Sequence, residues 1–168
     1  MIVKLIKGHW RLISGFIGVA VGGFTLGLQT SSAIPSVGMD TVVISRDEVS
    51  AIFENNSNPS ISNFSVDLYL HYSDKLLQLS ETNAGALIGS SGRRIIKFDG
   101  QAYSKADSVT VCISFSGPLG IDTIWQKFEL VPSRTNSLAA RHGIHSYYGG
   151  AVEIGRYYIL GGGCKVNA

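Results

Sequence analysis

Charge is scarce in this 168-residue chain: only 15% of residues are Asp, Glu, Lys or Arg, and no acid precedes Asp40. The three Lys and Arg residues of that acid-free stretch, Lys4, Lys7 and Arg11, all lie ahead of the first apolar run. Without them, the 14 Lys and Arg fall to 11 for residues 34–168, against 12 Asp and Glu, a net charge of −1. A domain so nearly neutral lacks the positive field with which nucleic-acid binders engage phosphates, so no nucleic acid is expected as a partner.

The signatures of chemistry are missing as well. There is no G-x-S-x-G elbow, no Ser-x-x-Lys, no phosphate loop ending in Gly-Lys-Ser/Thr and no C-x-x-C. Carboxylates stand singly at Asp67, Asp74, Asp99, Asp107, Asp122, Glu129 and Glu153. Asp67 and His71 share one strand face but lie four residues apart, too far for a direct hydrogen bond along an extended chain. His142 and His145 have i,i+3 spacing, yet zinc wants three or four ligands and no Cys, Asp or Glu lies within seven residues of them. The expectation is a protein that is not an enzyme, with no cofactor and no metal.

What is present begins with an uncharged run of 17 residues, Leu12–Leu28. It shows no polar face, which a soluble surface helix would need. With its basic flank it reads as a membrane-targeting helix whose N-terminus stays in the cytoplasm while the rest crosses. Two outcomes stay open. Ser31 and Ala33 suit the −3 and −1 positions of a signal-peptide cleavage site. Alternatively residues 12–28 stay in the membrane, where 17 residues just span and Trp10 sits at the interface. Gly18/Gly22 and Gly23/Gly27 then have the small-xxx-small spacing used in helix–helix packing. The chain thus divides into residues 1–33, a signal peptide or anchor, and residues 34–168, an exported all-β domain. The location is a bacterial inner membrane with a periplasmic domain, or the periplasm or exterior after cleavage.

The exported part reads as mostly β. The clearest strand is FSVDLYLHY, where Phe64, Val66, Leu68, Leu70 and Tyr72 alternate with Ser65, Asp67, Tyr69 and His71. SVTVCISF repeats the pattern with Val109, Val111, Ile113 and Phe115. Further strands are expected at 41–45, 75–79, 94–98, 123–131 and 151–160. Ser45 and Glu48 have capping-box spacing, which predicts one short helix ending near Glu54. Short strands with turn residues between them point to a small β-sandwich or barrel with one short helix, preceded by the N-terminal hydrophobic helix.

Cys112 and Cys164 both lie in the exported part, and in an oxidising compartment the default is a disulfide. It would fasten the glycine-rich C-terminus to a central strand. The segment Ile88-Gly89-Ser90-Ser91-Gly92-Arg93 resembles the GXXG loop of KH domains. That resemblance implies a helix on each side, which Phe98-Asp99-Gly100 interrupts; otherwise the segment is a glycine turn leading into a strand with Arg93 and Lys97 exposed. Tyr147, Tyr148, Tyr157 and Tyr158 concentrate aromatic area near the C-terminus and are candidate interface residues, although alternation would bury one of each pair.

Three functions fit. The first is a cell-envelope protein whose periplasmic β domain binds a protein partner, an accessory role in regulation or assembly. Its layout of basic tail, single apolar helix and small β domain is similar to that of accessory partners of membrane-bound transcription activators. The second is a secreted fimbrial or adhesin-type subunit, marked by a missing or unpaired strand. The third is a small-ligand-binding barrel or a periplasmic enzyme.

Overall fold

In a computed structural model, residues 35–57, 60–82, 92–99, 103–117, 122–133, 137–157 and 163–166 are described. They carry nine strands and one short helix, all within the unit formed by residues 35–168. The apolar run 12–28, with Gly18, Gly22, Gly23 and Gly27, lies outside the described residues, as do Tyr158 and Gly89–Ser91 of the GXXG loop. Among the described residues no helix is long and apolar enough to cross a membrane.

The strands are β1 (Val37–Ile44), β2 (Glu48–Asn55), β3 (Ser65–His71), β4 (Leu76–Glu81), β5 (Arg93–Asp99), β6 (Ser108–Ser116), β7 (Thr123–Pro132), β8 (His145–Tyr148) and β9 (Ala151–Tyr157), with α1 (Ser137–Arg141) between β7 and β8. All pairings are antiparallel. The sheet runs β4-β3-β6-β7-β8-β1-β2-β5, and β4 then comes into contact with β5, so the sheet curls into a nearly closed barrel. β9 stands off this path and pairs with β7.

Strand alternation builds the interior. In β3, Val66, Leu68 and Leu70 point inward, and in β6 Val109, Val111, Ile113 and Phe115 do the same. Phe53 of β2 meets Phe64 edge to face, with ring centroids 5.2 Å apart. Each such aliphatic or aromatic side chain contributes about 1.5–3 kcal/mol by leaving water. These residues form one cluster of buried side chains in the interior.

The expected helix ending near Glu54 is a strand instead. Val49, Ala51, Phe53 and Asn55 are buried and alternate with half-exposed neighbours, a period of two that fits β2 and no helix. The Ser45–Glu48 spacing, read as a capping box, is a tight hairpin turn: Ser45 donates from both its backbone N–H and its Oγ to the Glu48 carbonyl at 2.9 Å. The short helix lies elsewhere, at Ser137–Arg141. It ends where Gly143 adopts φ of 73°, a left-handed conformation that glycine takes without the steric cost of a side chain.

Arg93–Asp99, which a KH domain would need as helix, form strand β5 with Arg93 and Lys97 exposed. The KH resemblance is therefore local to the glycines. The segment around His145 is strand β8, wedged between β1 and β7.

Candidate functional site

β8 and β9 form one arm along β7. Pairings Pro132↔Tyr147 and Val131↔Tyr148 continue past Gly149–Gly150 into Phe128↔Ala151 and on to Thr123↔Tyr157. A side chain at Gly149 would collide with the Glu129 backbone carbonyl, so the join needs glycine. The other side of the arm is unequal. β1 pairs with β8 only over Val42–Ile44, and its ladder with β2 slips between Met39 and Thr41. Its start then turns to β7, where buried Gln126 donates from its amide nitrogen to the Val37 carbonyl and accepts from the Val37 N–H, at 3.2 and 3.0 Å.

This turn leaves β9 overhanging. Its register sets Ile154 beside Gln126, on the face that points into the barrel elsewhere. Yet Ile154 is 62% exposed and Val152, two residues away on the same face, is 59% exposed. Among the described residues β9 pairs only with β7, so its outer edge is open. An open edge with apolar side chains is a template for added strands, which natural sheets usually blunt with lysine, proline or a bulge. β9 itself carries neither lysine nor proline, although its ladder with β7 shifts between Lys127 and Phe128. On the opposite face of the arm, Tyr148 and Val131 form a cross-strand pair that is also exposed.

The tyrosines divide as strand alternation requires. Tyr148 is exposed. Tyr147 is fully buried and serves the core, not a surface: its hydroxyl donates to the Ala106 carbonyl at 2.9 Å and accepts from the Ala106 N–H at 2.8 Å. Burial pushes its pKa up to about 12, with the Ala106 N–H bond acting the other way and Tyr72 and Asp107 adding slightly. Tyr157 is half-buried, opposite Thr123. Val152 and Ile154, the most exposed apolar residues of the arm, were legible only as one face of a strand. Alternation names two faces but does not say which is covered.

Cys112 and Cys164 are joined as a disulfide, with Cα atoms 5.9 Å apart across 52 residues of sequence. Cys112 points outward from β6 between Asp67 and Lys127. The bridge lays residues 163–166 over the outer face of β6 and β7. Closing a loop of this length stabilises the fold by about 4 kcal/mol on a chain-entropy model.

The histidines are spread out. His71 ends β3, His142 follows α1, and His145 opens β8 opposite Ile44. Among the described residues no three His, Cys, Asp or Glu side chains gather as a metal site would need. No protein-family model and no curated protein matches the chain.

Proposed function

We propose that the chain is a cell-envelope protein whose exported β domain binds a protein partner, with β9 as the contact. The observation that supports this is the overhanging strand itself: an edge that no strand pairs among the described residues, and two well-exposed branched apolar residues, Val152 and Ile154, on one face. Strand addition to such an edge takes affinity from main-chain hydrogen bonds and specificity from alternate side chains. The basic flank and 17-residue apolar run of the N-terminus are the reason for placing the domain outside the cytoplasm, held at a membrane by residues 12–28 or released by cleavage.

A photo-reactive residue at Ile154 of the full-length protein in its native cells tests this. The expected result is a discrete cross-linked adduct, absent when the same group replaces exposed Gln78 on β4 and lost in a Val152→Glu variant that still folds. Equal labelling from Ile154 and Gln78, or none from either, contradicts it. The same open edge favours one second reading, a secreted subunit that polymerises through it. In that case the adduct is with another copy, and the protein is recovered as high-mass polymers.

A further inference from the structure

The C-terminal strap and the barrel wall enclose a polar hollow. Its volume is about 110 Å³, and it is lined by His71 of β3, Thr110 of β6, Lys127 and Glu129 of β7, and Lys165 and Val166 of the strap. That is room for several waters, and so for a small polyatomic ion.

Lys127 is only 18% exposed at its side chain, unusually enclosed for a lysine on an outer face. Its Nζ lies 3.7 Å from Glu129 Oε1, 3.6 Å from Glu153 Oε2 and 3.4 Å from the Lys165 carbonyl. A satisfied ammonium holds oxygens at about 2.7–2.9 Å, so each of these contacts is loose. Lys165, which also lines the hollow, carries a second positive charge on an exposed residue of the strap. The Thr110 hydroxyl lies 2.9 Å from His71 Nε2, which fixes both at the floor of the hollow.

Two carboxylates face Lys127: Glu129 in the lining and Glu153 of β9. Their side chains are 60% and 48% exposed, and ion pairs so open to water are worth no more than about 1 kcal/mol each. Both swing out at little cost when a better anion arrives.

We propose that this hollow binds a small tetrahedral oxyanion, held by the Lys127 and Lys165 ammonium groups over the Thr110 hydroxyl. Two walls come from β3, β6 and β7, and the third is the strap, which the Cys112–Cys164 bridge holds in place. The site is therefore assembled by the disulfide. It lies on the outer face of the barrel wall and stands or falls independently of partner binding at β9.

Inorganic phosphate and sulfate, added at constant ionic strength to the oxidised full-length protein in detergent micelles, test it by backbone amide NMR. The expected result is a saturable shift of the Thr110, Lys127 and Lys165 signals. Binding should weaken at least ten-fold in Lys127→Met and several-fold in Lys165→Met, and tighten several-fold in Glu129→Gln. It should vanish when dithiothreitol reduces the bridge. The Lys165 and Glu129 variants change exposed side chains and keep the test sound should Lys127→Met fail to fold. No saturable shift up to tens of millimolar anion would overturn the proposal, and so would affinity unchanged in both lysine variants or weakened by Glu129→Gln.

Discussion

At the scale of single residues, Tyr147 carries the most decisive chemistry of the core. Its ring is fully buried in the core, and its hydroxyl satisfies both backbone groups of Ala106. Tyr147→Phe keeps the ring and leaves a buried N–H and C=O without their partner, so it should cost about 1–3 kcal/mol at neutral pH. The pH dependence has a definite sign. With the folded pKa raised to about 12 from an ordinary 10.0, the native state keeps the proton that the unfolded chain releases. This contribution to stability is intact below about pH 10 and is lost as the pH rises from 10 towards 12. Denaturant unfolding at pH 7 and pH 11 checks both points: the wild type should lose more stability between them than Tyr147→Phe. Equal losses would remove Tyr147 from the explanation. The sequence marked Tyr147 as one of a pair with one buried member, but not which one. The identity of its partner, Ala106, 41 residues away in sequence, left no local trace.

At the scale of elements, the strands with the plainest alternation were the most legible. β3 and β6 were readable because one face of each is consistently apolar and the other polar. β2 was misread because a serine three residues before a glutamate serves a hairpin turn as well as a helix start, and outward Ile52 and buried Asn55 blurred its alternation. β8 escaped notice because four residues between glycines are too few for a pattern, although they join β1 to β7. Gln126 is the element-scale device that no pattern announced. Its amide stands in for a neighbouring strand at Val37 and holds the start of β1 against β7. Gln126→Leu fills similar volume but leaves that N–H and carbonyl unpaired. It should destabilise the domain by about 1–3 kcal/mol and speed hydrogen exchange at the Val37 amide more than at Val111 in the middle of β6. Uniform exchange across both sites would mean that Gln126 does not anchor β1.

At the scale of the whole molecule, alternation named most of the strands but not their order. The path β4-β3-β6-β7-β8-β1-β2-β5 places β1 beside β8, a pairing of residues about 100 positions apart. Nothing in local periodicity encodes such a neighbour. The overhang of β9 is equally a product of topology, since it arises only because β1 leaves the arm to reach Gln126. The disulfide was legible, because two cysteines in a chain expected to be exported leave a single intramolecular pairing. It is also the feature on which the proposed export can be tested, because such bridges are kept mostly in oxidising compartments.

Export is the claim on which the proposed function rests, and one measurement tests it most directly. The protein is taken from fractionated native cells, treated with a thiol-alkylating reagent without prior reduction, and weighed intact. The predicted result is a chain with no alkyl group and two hydrogens fewer than the reduced form, full-length in the membrane fraction or starting at Ile34 outside it. A full-length chain in the soluble cytoplasmic fraction, alkylated at both Cys112 and Cys164, would contradict export and the disulfide together.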